Sequence, residues 1–170
     1  GKVSAKSAGL GAGSEFTLIL PRVKKEAEPA QEPTAKPAFI PARILVVDDN
    51  VDSGVLLSML LEMSGYEVKV ALDGPSALVA FEHQHSQIVI CDIGLPGMNG
   101  YEVARRLRQS CSGDESPPLL IAHTGYEGPE DCKRALAAGF NHHVAKPVDF
   151  EMLLKLIEQA EISRNARRRD

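Results

Sequence analysis

Five polar side chains stand where apolar runs of this chain end. Asp48 and Asp49 follow Ile44-Leu45-Val46-Val47, and Asp92 follows Gln87-Ile88-Val89-Ile90-Cys91. Thr124 comes just after Leu119-Leu120-Ile121-Ala122, and Lys146 closes His142-His143-Val144-Ala145. Short apolar runs of this kind read as strands buried on both faces of a parallel sheet. Residues just past such strands collect at the carboxyl edge of the sheet, where open α/β folds place their chemistry. Three carboxylates converging there repel one another unless a cation compensates them. Oxygen ligands favour a hard divalent ion, and Mg²⁺ suits best: it binds through one or two carboxylates plus phosphate oxygens and keeps several waters. Such an ion neutralises the charge that a phosphoryl group brings into an acidic pocket. Lys146 adds a point positive charge, and Thr124 a hydroxyl donor for a phosphoryl oxygen. Asp92, between these groups, is left to act as the nucleophile and carry an acyl phosphate.

Each of these residues alone has a simpler reading. Asp48 or Asn50 could cap a helix, Asp92 could stabilise its turn, and Lys146 could be a surface charge. The set is what singles them out, because all of them stand at the ends of the strands that meet at one edge.

The elements that must position them can be read from the spacing. The apolar residues Val55, Leu56, Met59, Leu60 and Met63 predict a helix over about 52–63, with Gly65 as its stop. Tyr66 to Ala71 alternates and predicts a strand nearer the sheet edge. Ala77, Leu78 and Phe81 face inward on a helix over about 74–84. A third helix runs from Asn99 to Gln109 with Val103, Ala104 and Leu107 on one face, a fourth over about 129–138 up to Gly139, and a fifth over about 149–162. Strand and helix thus alternate five times. The expected fold is α/β: a doubly wound, five-stranded parallel sheet with helices on both faces. Right-handed crossovers allow few topologies, and the polar residues fall at or near the switch point if the strand order is the flavodoxin-like 2-1-3-4-5.

Composition narrows the function. The chain has 170 residues, 44% of them hydrophobic, and a formal charge of −4. That suits one domain with a real core plus extra sequence, and it argues against nucleic acid as a partner. Arg167-Arg168-Arg169 is a short basic end, read as a solvated tail. Three scattered cysteines, Cys91, Cys111 and Cys132, form no pair motif and fit a reducing cytosol. No apolar run reaches the ~20 residues of a membrane span. The start has neither an initiator Met nor a leader, so the expectation is a cytoplasmic piece of a longer protein. His83 and His85 lack a third ligand and are read as solvated helix-end residues rather than a metal pair.

Four segments are expected: an end of another domain at 1–20, a proline-rich linker at 21–41, the α/β domain at 42–163, and the basic tail at 164–170. In the first, Glu15-Phe16-Thr17-Leu18-Ile19-Leu20 reads as a strand after a glycine-rich turn, with no partner strand in view. In the second, Pro21, Pro29, Pro33, Pro37 and Pro41 recur among small and charged residues. Such a segment buries too little surface to offset its ordering entropy.

Residues 43–162 resemble the receiver domain of two-component response regulators. The motifs that carry the resemblance are Val46-Val47-Asp48-Asp49-Asn50, the turn from Asp92 to Gly100, His123-Thr124-Gly125, and Gly139 through Lys146-Pro147. The resemblance implies a flavodoxin-like fold, Asp92 as the phosphoacceptor, and a Mg²⁺ site of Asp48, Asp49, Asp92 and the carbonyl of Gly94. It implies that Asp49 binds the ion directly, that Asp48 acts through water, and that Thr124 and Lys146 contact the phosphoryl group. It also implies a cis Lys146–Pro147 bond. Thr124 and His143 fall on the family's switch positions, the second being Tyr or Phe in many members, and an imidazole there would make the switch sensitive to pH.

The stretch from Val3-Ser4-Ala5-Lys6-Ser7 through Gly11-Ala12-Gly13-Ser14-Glu15-Phe16 to Leu20-Pro21 resembles the last turn and strand of a histidine kinase ATP-binding domain. Kinase end, linker and receiver together resemble the carboxyl-terminal part of a hybrid sensor histidine kinase. The implied partners are the kinase domain of the parent chain and a histidine phosphotransfer protein or domain. Most of the ATP site and the phosphorylated histidine are missing, so the chain is not expected to use ATP itself. A receiver acting as an intramolecular regulator of its own kinase is the alternative within the family. Two further alternatives on this fold are weaker. An aspartyl phosphatase wants a second carboxylate where Gly94 stands, and a flavin module wants a phosphate loop where Asp48-Asp49-Asn50 places negative charge.

Overall fold

The computed structural model describes residues 2–7, 9, 13–19, 42–111, 113, 117–125 and 128–167. The chain divides into two compact units, residues 1–39 and 40–170.

In the first unit, strand β1 (Lys2–Ser7) pairs antiparallel with β2 (Ser14–Ile19), Val3 facing Leu18 and Ala5 facing Phe16. The strand expected from Glu15 onward is present. The expectation that it lacks a partner is corrected, because Lys2–Ser7 supplies one. That strand escapes a reading by apolar alternation because Val3 is its one large apolar residue, among Lys, Ser and Ala. The expected linker at 21–41 lies outside the described residues.

The second unit carries a parallel sheet of β3 (Arg43–Val47), β4 (Glu67–Ala71), β5 (Ile88–Asp92), β6 (Leu119–Thr124) and β7 (His142–Ala145). Their order is β4-β3-β5-β6-β7, which is 2-1-3-4-5 within this domain. Helices α1 (Val51–Met63), α2 (Gly74–Gln84), α3 (Gly100–Ser110), α4 (Pro129–Ala138) and α5 (Phe150–Arg167) connect or follow the strands. The flavodoxin-like fold is therefore as expected. The alternating strand β4 is the edge, as its half-exposed pattern requires.

Two cores flank the sheet. Leu45, Val47, Val89, Leu120 and Ala122 pack with Phe81 of α2, Val103 and Leu107 of α3, and Ala135 of α4. Ile44, Val46, Ile88, Ile90 and Ile121 pack with Leu57 and Leu61 of α1 and Leu153 and Ile157 of α5. Strands buried on both faces are why their sequences read as unbroken apolar runs.

Two helices differ from the reading by spacing. On α1 the buried face is Gly54, Leu57, Ser58 and Leu61, while Val55, Leu56, Met59 and Met63 are exposed. Leu56-Leu57 and Leu60-Leu61 are adjacent pairs, so both faces show helical periodicity and spacing alone does not choose between them. Helix α5 runs on to Arg167, into the stretch read as a tail. No Gly or Pro stops it, and Arg164 donates from Nη1 to the Gln87 carbonyl at 2.8 Å.

Candidate functional site

The turn after β3 is fixed by a cap. Asn50 Oδ1 accepts from the Ser53 amide at 3.0 Å, satisfying an amide at the start of α1. Asp48 is held from the same turn: its Oδ1 accepts from the Asn50 amide at 3.0 Å and its Oδ2 from the Ser53 hydroxyl at 3.2 Å. The side chain of Asp48 is 3% exposed, whereas Asp49 faces solvent.

Asp92 ends β5, and its Oδ1 accepts from the Gly94 amide at 2.9 Å. Asn99 caps α3 through the Glu102 amide, which turns the Asp92–Asn99 loop back onto the sheet. Gly100 makes that return possible, because a Cβ there would overlap the Asp92 carbonyl oxygen. Sequence spacing put Gly100 in this turn without showing how closely the backbones approach.

Lys146 joins the two ends. Its ammonium lies 2.7 Å from Asp92 Oδ2 and 2.9 Å from Asp48 Oδ2. Burial disfavours the ammonium, but its hydrogen bonds to Asp92 and Asp48 outweigh this and hold its pKa above the ordinary value. The Lys146 amide donates to the Thr124 carbonyl at 2.8 Å, which ties the ends of β6 and β7. Thr124 is buried and stands one residue beyond His123, which is opposite Asp92 in the sheet register. The Lys146–Pro147 peptide bond is cis, as expected.

Ligand oxygens of Asp48, Asp49 and Asp92 all lie within 4.8 Å of one another. These three carboxylates are the side chains that would hold a divalent cation here. The donor set is all oxygen and surplus in negative charge, which fits a hard divalent cation and excludes a soft one.

The structure thus brings together Asp48, Asp49, Asp92 and Lys146, sets Thr124 on the adjacent strand end, and touches Asp92 through the Gly94 amide. His143 stands elsewhere: it is in register with Ala122, and its Nδ1 lies 3.4 Å from Cys132 Sγ on α4. His83 and His85 are exposed, and the Asp48–Asp49–Asp92 group is the metal-capable cluster among the described residues. Two neighbours went unassigned in the sequence. Ser53 follows the Asn50 cap by three residues, a spacing that could have placed it on Asp48. His123 carries no such signal; burial, and then the charge of Lys146, hold its pKa below the ordinary value.

Residues 44–158 match the response regulator receiver domain family. The chain belongs to that family. The members of this family generally bind Mg²⁺ at an acidic pocket, and the three aspartates form one here. Among relatives, the CAI-1 autoinducer sensor kinase/phosphatase CqsS of Vibrio cholerae is 36% identical over 68% of this chain and 17% of its own length. The virulence sensor protein BvgS of Bordetella bronchiseptica is 32% identical over 93% of this chain, which spans 13% of that protein. Among solved structures, a chain from the co-crystal of the Saccharomyces cerevisiae histidine phosphotransfer signaling protein Ypd1 with the receiver domain of Ssk1 matches with a TM-score of 0.65. It is 26% identical, and the match covers 69% of this chain and 86% of that one. The receiver is a two-component signalling domain related to those of sensor kinases. Among the described residues, no helix is long and apolar enough to cross a membrane.

Proposed function

We propose that this receiver is the phosphoacceptor of a hybrid histidine kinase in a phosphorelay. An Asp92 carboxylate oxygen attacks the phosphorus of a phosphohistidine, and the P–N bond breaks with its electron pair leaving on the imidazole nitrogen, which takes a proton from solvent. The product is an acyl phosphate on Asp92. It passes to the histidine of a phosphotransfer partner, or water hydrolyses it. Asp48, Asp49, Asp92 and the Gly94 carbonyl are the groups that would hold Mg²⁺, and the ion would offset charge on the phosphoryl oxygens when bound. Lys146 supplies the fixed positive charge and Thr124 a hydroxyl donor, and Thr124 with His143 forms the switch.

One observation carries the reading: the Lys146 ammonium bridges Asp92 and Asp48 beside a three-carboxylate cluster at the carboxyl edge of the sheet. The match of nearly the whole chain to a sensor protein supports the hybrid arrangement. In that arrangement residues 1–20 end the kinase ATP-binding domain, 21–41 form a spacer, and 42–163 form the receiver, with helix α5 running on into the basic end at 164–170 as far as Arg167, all on the cytoplasmic side of a parent that can be membrane-anchored. The Ypd1 co-crystal supports a phosphotransfer protein as partner.

The test is labelling with acetyl phosphate or phosphoramidate. The expected result is one phosphoryl group per chain, dependent on Mg²⁺, and none on Asp92→Asn. Full labelling of that variant would remove Asp92 as the acceptor.

A further inference from the structure

At the amino end of the sheet, away from Asp92, a cavity of about 360 Å³ opens between α3, α5 and the start of β7. Arg108 of α3, Arg164 of α5, and Asn141 and His142 where β7 begins line it. Among the described residues that line it, none is an aspartate or glutamate, although acids outnumber Lys and Arg in the chain by 23 to 19. The α5 acids Glu158 and Glu161 act on the Tyr66 hydroxyl instead. Two guanidiniums thus share one cavity whose described walls carry no carboxylate to neutralise them.

The Arg108 guanidinium is clamped in place. Its Nε donates to the Gly139 carbonyl at 2.9 Å, Nη1 to the Pro118 carbonyl at 2.8 Å and Nη2 to Asn141 Oδ1 at 2.6 Å. All three acceptors are neutral, and the side chain is half-buried. Burial holds its pKa below the ordinary value, and the one opposing influence is Cys111 rather than a carboxylate. A partly desolvated cation with neutral partners still attracts an anion, since hydrogen bonds to carbonyls satisfy its donors without cancelling its charge. Nη1 and Nη2 each carry a second N–H besides the bond given, in the planar fork that suits phosphate and carboxylate oxygens.

The other groups are ordered as well. Arg164 is held by its Nη1 bond to the Gln87 carbonyl at 2.8 Å. Asn141 Oδ1 accepts from both Arg108 and the Leu120 amide, which leaves its Nδ2 as a donor at the cavity wall. Side chains already fixed lose little rotamer freedom when a ligand arrives. Pro118, Leu119 and Leu156 make the remaining wall apolar.

We propose that this cavity binds a small molecule with a doubly charged oxoanion head, a phosphate or a pair of carboxylates, seated between Arg108 and Arg164 with a compact apolar body on Leu119 and Leu156. Two cations at one partly dry place favour a dianion over a monoanion, because the attraction grows with the product of the charges. Chloride offers no oxygens to a planar fork and competes poorly. Binding ties α3 to α5 across the first residues of β7 and so stabilises the folded chain. The site shares no residue with the three aspartates at the carboxyl edge and stands apart from the phosphorelay reading.

The test uses the full chain without Mg²⁺, above neutral pH and at constant ionic strength, with inorganic phosphate and succinate as probes and chloride as the reference. Melting temperature should rise saturably with at least one of the two dianions. In NMR spectra the Arg108 Nε–H and His142 signals should shift along the same curve while the Asp92 amide stays in place. Arg164→Gln should raise the half-saturating concentration about tenfold, and Arg108→Lys, which keeps the charge and loses the fork, should raise it as well. Saturation by phosphate alone assigns a phosphoryl head, by succinate alone a pair of carboxylates, and by both an oxoanion of either kind. A response no larger than that to chloride overturns the proposal. So does a half-saturating concentration unchanged in folded Arg164→Gln, or a set of shifts centred on Asp92 and Lys146. None of these readouts depends on labelling of Asp92, so failure here leaves the phosphorelay reading intact.

Discussion

The two ends of the sheet hold their polar groups in opposite ways. At the amino end, Arg108 donates to the carbonyls of Gly139 and Pro118 and to Asn141 Oδ1, at 2.6–2.9 Å. Asn141 Oδ1 also accepts from the Leu120 amide, and Arg164 reaches the Gln87 carbonyl. There a cation is matched to backbone acceptors, and the arrangement ties strand ends together. At the carboxyl end, three carboxylates face one ammonium. The charge there does not balance within the protein. The difference teaches where to look for chemistry: both ends carry close polar contacts, but the carboxyl end is the one that gathers carboxylates in excess of its cation.

The largest expected effect tests the amino end as a structural device. Arg108→Ala removes the donor to the Gly139 and Pro118 carbonyls, while Asn141 Oδ1 keeps the Leu120 amide, and should cost about 2 kcal/mol in urea unfolding. The folded fraction should still label fully with acetyl phosphate. Lost labelling in folded protein would show that the two ends are coupled and not separate in role.

Removing surplus charge tests the other end. Asp49→Asn should raise the Mg²⁺ concentration needed for half-maximal labelling by about tenfold or more, since one charged ligand is lost. The wild type should gain melting temperature as Mg²⁺ is added, because the ion binds the folded state, and the variant should gain little. Equal gains in both would place the ion elsewhere.

The smallest effect concerns His123. Burial, then the Lys146 charge, keep its pKa below the ordinary value of 6.5, so the folded state binds this proton less well than the unfolded chain. Stability on this account is complete above pH 6.5 and falls as pH drops through that value. His123→Leu removes this contribution, so the wild type should lose more stability than the variant between neutral and mildly acidic pH. Parallel curves from denaturant titrations at several pH values would contradict the assignment.

The contrast between the ends also explains what the sequence discloses. Asp48, Asp49, Asp92, Thr124 and Lys146 were legible because parallel strands buried on both faces read as plain apolar runs, and the polar residue that ends each run stands out. Five alternations and right-handed crossovers narrowed the strand order to a few, 2-1-3-4-5 among them. The buried face of α1 was not legible, because adjacent leucines give both of its faces the same period. Strand β1 was hidden by its small side chains. His123 was hidden for another reason: its burial, and an Nε2 with no hydrogen-bond partner among the described residues, are properties of the packing around it, and its type and spacing do not report them. The amino-end network is similar, since Arg108, Asn141 and Pro118 meet only once two strands and a helix are assembled.

The central claim is that Asp92 carries a mixed anhydride, and the chemistry of that bond gives the most direct measurement. The chain is phosphorylated with phosphoramidate and Mg²⁺, reduced with borohydride, digested, and read by mass spectrometry. The account predicts homoserine in place of Asp92 and unmodified Asp48 and Asp49. A reduced residue at another aspartate, or a phosphoryl group that survives borohydride as a hydroxyl ester, would contradict it.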